Sequence, residues 1–250
     1  MGMMGRMNNS LQFGDASTSD YGIYISGEGV FNAPARDVEM VEVPGRNGAL
    51  AIDGGRYTNI EVKYPAFCVE DNLEDFRNNL ASLRSAFCSQ VGYQRLTDTI
   101  NPEEFRLGIY KDGLNVSPVM YTTAANFDMV FDCKPQRFLI SGEIPQTFSA
   151  SGTITNPTRF PSAPLIQITG KGDLGIGAYS FTIRGVDAQT IYIDCETMEA
   201  WEIVGGAKIS RNDYIQYAGN SFPVLDSGNN GVTIGTGITS VVITPRWWKL

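Results

Sequence analysis

Alternating apolar and polar positions dominate the chain and predict a mainly β protein. The clearest stretch is Val41–Tyr64, where side chains from Ile60 to Tyr64 alternate as in a strand with one buried face. Glycines and a proline interrupt the pattern at Pro44–Gly48, and Asp53-Gly54 is a strong signal for a hairpin turn. The stretch predicts a long hairpin whose glycine-rich arm, Pro44 to Tyr57, has little core of its own and must lie against another surface.

A single segment shows a helical period instead. Its apolar residues recur at spacings of three and four, at Leu73, Phe76, Leu80, Leu83 and Phe87. The pattern predicts an amphipathic helix over about Asn72 to Gln90, with Asp71 and Glu74 at the spacing of a capping box. Since no second helix is evident in the sequence, we expect this helix to pack on a sheet.

The residue composition changes in the middle of the chain. Half-buried strands are predicted at 105–109 and 127–133, and the stretch 141–164 is then rich in proline and small polar residues, as in a linker and domain entry. Beyond it, short β-type runs alternate with turn residues at intervals near the ~8 to 12 residues of a sandwich. We therefore predict two domains, 1–140 and 141–250, the second an antiparallel sandwich of roughly eight strands.

Composition excludes several classes of function. The formal net charge of −8 disfavours a nucleic-acid-binding surface, and the absence of histidine excludes Ser-His-Asp triads and mixed Cys/His zinc sites. The four cysteines follow no metal-site spacing, so we expect reduced, mostly buried thiols and neither a metal nor a cofactor. No apolar run approaches the ~18 to 20 residues of a membrane span. The N-terminal MGMMGRMNNS lacks the features of an export signal.

Two sets of residues are candidates for chemistry or sugar binding. Asp194 and Glu196 would share a strand face, as the acid pair of a glycosidase requires, although a structural role is the favoured interpretation. Trp201 and Trp248 are candidates for a ligand platform. Consecutive residues point to opposite sides of a strand, so Trp247 and Trp248 cannot both face a ligand, and packing is again favoured.

The predicted hairpin arm carries the candidate interface residues. Arg46, Asn47, Arg56 and Tyr57 lie on this glycine-rich segment of a chain that has an excess of acidic residues. Arginine is enriched at protein interfaces and pairs well with carboxylates. We therefore predict that these four residues contact a neighbouring copy of the chain.

Segments in both halves resemble the distal tail protein family of long-tailed bacteriophages. They are the PGRNG hairpin, the single helix, NPTRFPSAPLIQITG, IYIDCET, FPVLDSGNNGVTIGTG and VVITPRWW. The likeness rests on their order, which extends over nearly the whole chain. It implies a ring-forming N-terminal domain, β-barrel-like or α+β, with a protruding hairpin and one helix. It also implies a C-terminal galectin-like β-sandwich, and leaves open a contact of the last strand with the first domain.

The resemblance implies a structural virion protein without catalytic activity. Copies would form a homo-hexameric ring, single or stacked as a dodecamer, at the tail tip or baseplate after assembly in the bacterial host cytoplasm. The ring would join the tail tube protein to a tail-associated fibre or lysin protein and to receptor-binding proteins. It would bind no specific nucleic acid sequence and insert into no membrane. The alternative is a carbohydrate-binding module for host surface glycans, carried by the second half.

Overall fold

The chain folds into two compact units. The computed structural model describes residues 9–26, 31–118, 123–185, 189–219 and 221–250. The first unit comprises the chain up to Arg137 together with Leu250, and the second runs from Phe138 to Lys249. Most of the N-terminal segment on which the export prediction rests, residues 1–8, lies outside the described residues.

The first unit is built on an antiparallel sheet and a separate hairpin. Its described strands are β1 (Leu11–Phe13), β2 (Ala16–Ser17), β3 (Ile23–Ile25), β4 (Arg36–Glu42), β5 (Ala49–Tyr57), β6 (Ile60–Val69), β7 (Gln94–Asp98), β8 (Glu104–Ile109), β9 (Val116–Pro118) and β10 (Ala124–Cys133). The sheet order is β2-β1-β7-β8-β10-β6-β3, with β9 also on β10. Ile25 N donates to Asn9 O at 2.9 Å, next to β1, so the sheet curls back toward its other end like a barrel.

The predicted helix is present and packs on this sheet. Helix α1 (Leu73–Cys88) buries Phe76, Leu80, Leu83 and Phe87. Two details of the prediction were wrong. The capping residue is Asn72, whose side chain accepts a hydrogen bond from Asp75 N at 2.8 Å. Leu73 is exposed, and it is the first residue of the helix.

Aromatic rings form the centre of the first core. Phe87 from the helix lies 5.5 Å from Phe13 and 5.7 Å from Tyr110, measured between ring centroids. Phe131 of β10 lies 5.2 Å from both Phe13 and Tyr110. Rings packed at these distances contribute beyond their buried area, so helix and sheet are held together at this cluster.

The second unit is an antiparallel β-sandwich, as the sequence predicts. The remaining strands are β11 (Arg137–Leu139, which spans the unit boundary), β12 (Gln146–Phe148), β13 (Gly152–Asn156), β14 (Leu165–Gly170), β15 (Gly172–Ile176), β16 (Tyr179–Ile183), β17 (Thr190–Asp194), β18 (Glu199–Val204), β19 (Ala207–Ser210), β20 (Ile215–Tyr217), β21 (Gly228–Ile234), β22 (Ile238–Thr244) and β23 (Trp248–Lys249). Short 3-10 helices occupy Thr18–Tyr21, Ile140–Glu143 and Asn212–Tyr214.

The sandwich has two sheets around one core. Among the described strands, one sheet has the order β12-β22-β14-β17-β18-β19 and the other β13-β21-β15-β16-β20. This makes eleven described strands rather than about eight, and one of them, β15, lies in the glycine-rich stretch Gly170–Gly177. Isoleucines such as Ile166, Ile193 and Ile243 fill the space between the sheets together with Trp247.

Candidate subunit interface

Strands β4 and β5 form a hairpin that stands apart from the core. They pair only with each other among the strands the structure describes, and nearly all their residues are exposed. The turn between them is tight: Arg46 N donates to Val43 O at 3.1 Å, and Gly45 and Gly48 have φ values of 80° and 79°. Such positive φ values suit glycine and explain the glycines of this turn. Arg46 and Asn47 therefore lie at the tip of a protruding arm.

The structure corrects the predicted course of the hairpin. Asp53 and Gly54 do not form a turn but lie within β5, beside a shift in register between Arg36 and Val38 on the opposite strand. The Asp53 carboxylate accepts hydrogen bonds from Gly55 N and Arg36 Nε, both at 2.9 Å, which stabilises an irregular strand in place of a turn. The predicted return strand belongs to β6 of the main sheet.

Ion pairs hold the base of the hairpin together. Arg56 Nε lies 2.7 Å from Asp37 Oδ2, and Arg36 pairs with Asp53 and donates to the Tyr57 hydroxyl at 3.1 Å. The hydrogen bond from Arg36 lowers the pKa of the Asp53 carboxyl. Arg56 and Tyr57 therefore lie at the base rather than on a glycine-rich tip, because the Asp53-Gly54 turn that would have displayed them is absent.

The hairpin also exposes an apolar surface that was not predicted from the sequence. Val41 pairs with Leu50 and Glu39 with Ile52, and residues directly opposite in an antiparallel pair share a face. Leu50 and Ile52 are 43% and 48% exposed, and Met40 on the other face is 62% exposed. Exposed apolar side chains grouped on one arm indicate a contact surface. The β-type run VEMVEV signals this strand, but the sequence cannot indicate that neither face is covered by the core.

The two predicted tryptophan sites are separate and already packed. Trp201 is stacked on Tyr192 at 5.7 Å, and Lys208 Nζ lies 3.9 Å from the centre of the indole ring. Trp248 stacks on Phe160 at 4.6 Å and donates its Nε1–H to a backbone carbonyl at 2.9 Å. Sugar-stacking sites need an open aromatic face, and the Trp201 ring has protein contacts from an aromatic ring and a cation. Trp247 points into the core while Trp248 does not, as their consecutive positions predict.

The candidate acid pair is engaged in structural contacts. Arg246 forms a two-pronged ion pair with Asp194 at 2.7 and 2.9 Å and lies 3.5 Å from Glu196. Burial would raise the pKa of the Asp194 carboxyl, but hydrogen bonds and charge from Arg246, with two backbone N–H donors, hold it below its ordinary value. A glycosidase acid needs a raised pKa, so Asp194 is unsuited to that role.

The cysteines and acids form no evident site. All four cysteines are free thiols, three of them buried and Cys88 exposed. Burial raises the pKa of Cys133 and Cys195 to about 12. Within the described ranges, no group of three or more histidine, cysteine or acidic side chains is placed to hold a metal ion. No helix in that part of the chain is long and apolar enough to cross a membrane.

Comparisons with known proteins identify the fold. No protein-family model and no curated protein sequence matches the chain. The Dit protein of phage SPP1, described as a paradigm of the hub adsorption apparatus in phages that infect Gram-positive bacteria, matches 97% of this chain over 99% of its own length. Its TM-score is 0.74 and its sequence identity 12%. A structure of the phage P2 baseplate matches over 95% of this chain and 97% of its own, with a TM-score of 0.51 and 8% identity. Over nearly its whole length, the chain therefore has the fold of the SPP1 Dit protein, the fold expected from its resemblance to distal tail proteins.

Proposed function

We propose that this chain is a structural subunit of a siphophage tail tip, a distal tail protein that forms the hub of the baseplate. The observation that carries the proposal is the agreement in fold with SPP1 Dit over 97% of one chain and 99% of the other. Two domains of different architecture agree in order and extent, which is stronger support than a match of one common domain. Fold similarity does not by itself imply function, so the surface features below carry the rest.

The hairpin β4–β5 supports an assembly role. A subunit that closes a ring needs one patch that binds a different patch on the next copy, in a head-to-tail contact. The hairpin is such a patch, because it protrudes, exposes apolar side chains on both faces and presents Arg46 and Asn47 at its tip. Arg56 and Tyr57 lie at its base, where Arg56 pairs with Asp37 and joins the two strands of the arm.

The proposed ring also implies positions for the DNA channel and for the partner proteins. First units would form a hexameric ring, single or doubled, around a channel for DNA, whose passage a chain of net charge −8 would not hinder. The tail tube protein would lie on one side of the ring, and the fibre or lysin protein on the other. Receptor-binding proteins would dock on the sandwiches. The role of Arg246 in binding the Asp194–Glu196 pair supports a non-enzymatic protein.

Native mass spectrometry and negative-stain electron microscopy of the purified protein test this proposal. We expect a species of six times the 27.3 kDa chain, or twelve times if rings stack, and closed rings in the images. A protein that remains a monomer at tens of micromolar would contradict the proposal. So would retention on a glycan array together with a monomeric mass, which would favour the carbohydrate-binding alternative.

A further inference from the structure

We propose that the hairpin β4–β5 of one copy docks in a groove on the outer face of strands β6 and β10 of the next copy, where Arg46 pairs with Asp112. This inference rests on the proposed ring and names the surface that receives the arm. It follows from the shape, apolar content and charge of the two surfaces.

The groove lies on the outer face of the first unit's sheet. Its volume is about 580 Å³, and it is lined by β6, β10, β9 and the segment that precedes β9. Phe67 is 40% exposed there, although outward-facing strand positions are usually polar, and Pro65 and Val130 lie alongside. These three side chains give the groove an apolar floor that the apolar face of an incoming hairpin could cover.

Acidic and amide side chains surround this floor. Asp112 and Asn115 approach from the segment before β9, and Asn126 and Asp128 from β10. Asp128 pairs with Lys63 at 2.6 Å. The Asp112 carboxylate is exposed and has no ion pair or hydrogen bond among the described residues, so it is the acid available to an incoming cation.

The hairpin is complementary to the groove in both apolar content and charge. Leu50 and Ile52 supply an apolar face, and Arg46 at the tip is exposed and without a side-chain partner in the described part of the chain. Apolar residues at the centre of a contact with charged pairs at its rim are the usual anatomy of an interface. Because the net charge of −8 makes two copies repel, a local pair of opposite charges would also set the register of the contact.

The two surfaces also meet the geometric need of a ring. The hairpin exposes its apolar residues in its own copy, so it does not occupy its own groove. Arm and groove are distinct patches within the first unit, as a head-to-tail contact requires. A second copy of the chain is therefore the occupant that fits, since it brings the complementary arm in the same number as the grooves.

A charge swap tests the pairing. Arg46→Asp and Asp112→Arg should each raise the protein concentration at which half the rings dissociate by on the order of tenfold, because each brings like charges together. The double variant Arg46→Asp/Asp112→Arg should return to within about threefold of the parent. Arg159→Asp, an exposed change of equal charge in the second unit, is the matched control and should have little effect. Mass photometry measures the dissociation, with circular dichroism as the folding control.

The outcomes separate this inference from the proposed function. If the parent forms rings but the losses of ring stability simply add in the double variant, docking at the groove would be wrong and the proposed ring would still stand. A parent that never forms rings would overturn both. As an independent measurement, Asn47→Cys and Asn115→Cys combined in a Cys88→Ser background should give a disulfide-linked ladder under mild oxidation, because disulfides form only between closely placed residues. Absence of the ladder from intact rings would contradict docking at this groove.

Discussion

Replacing Asp194 by asparagine tests the ion pair that joins β17 to the segment after β22. The Asp194 carboxylate accepts both prongs of the Arg246 guanidinium and two backbone N–H groups, those of Glu196 at 3.0 Å and Thr197 at 3.4 Å. The side chains of Arg246 and Asp194 are only 26% and 13% exposed. The substitution keeps the shape of the side chain but leaves a partly buried arginine with only the more exposed Glu196 carboxylate, 3.5 Å away, as counter-charge.

The expected loss of stability lies between the loss for breaking a fully buried ion pair and the loss for breaking an exposed one. Breaking a fully buried pair costs about 3–5 kcal/mol, and an exposed pair contributes about 0–1 kcal/mol. For a pair this deeply placed, we expect the free energy of unfolding of the second unit to fall by about 2–3 kcal/mol. With a urea dependence of about 1–3 kcal/mol per molar, the midpoint should fall by roughly 0.7–3 M.

Tryptophan fluorescence makes the assay specific to one unit. Trp201, Trp247 and Trp248 are the only tryptophans of the chain, and all lie in the second unit. Glu199→Gln is the matched control, because Glu199 pairs with Lys208 on the same sheet but both side chains are more than half exposed. We expect a change below about 0.5 kcal/mol for this control. An Asp194→Asn variant as stable as the control would refute the argument.

The pH dependence of the unfolding free energy tests the same ion pair in a second way. The pKa of Asp194 is lower in the folded state than in the unfolded chain, where it is about 3.9. Its contribution is therefore fully present above that value and is lost as the pH falls through the folded pKa. The stability difference between the parent and Asp194→Asn should be constant near neutral pH and shrink below about pH 4. A difference that grew on acidification would contradict the assigned direction.

Three further predictions concern other parts of the chain. Arg46→Glu should disrupt rings more than Arg56→Glu, since Arg56 is engaged by Asp37 within the hairpin; equal effects in mass photometry would contradict the separation of tip and base. Cys88 alone should react with a thiol reagent in the native protein, and the three buried thiols only after denaturation, as counted by mass spectrometry. Gly142→Ala should lower the second unit's urea midpoint by the equivalent of about 2–3 kcal/mol, because the new Cβ would lie 2.3 Å from a backbone nitrogen; an unchanged midpoint would show that the segment can move aside.

Local patterns predicted much of the fold. The helix, the half-buried strands around Phe131 and the short-stranded second half all follow from side-chain periodicity. The opposite orientations of Trp247 and Trp248 follow from strand alternation. Each of these depends on neighbours within a few residues, which is the range over which a sequence is directly informative.

Contacts between distant residues account for what the sequence did not predict. Asp53-Gly54 has the composition of a turn, but Arg36, seventeen residues earlier, holds Asp53 within a strand. For Trp201 packing is the interpretation favoured from the sequence, but only the structure identifies Tyr192 and Lys208 as its partners. The apolar residues of the hairpin are typical of a strand, yet only the structure shows that both of its faces are uncovered.

The closure of the sandwich by its last residues has a consequence for synthesis. Strand β12 pairs with β22, β13 pairs with β21, and Trp247 fills the core between the sheets. The second unit therefore cannot complete its core until the ribosome has passed residue 247, whereas every strand of the first unit's sheet from β1 to β10 has been made by Cys133. Such long-range pairing also makes folding slow. We expect nascent chains to carry a folded first unit, with its hairpin displayed, before the sandwich is complete.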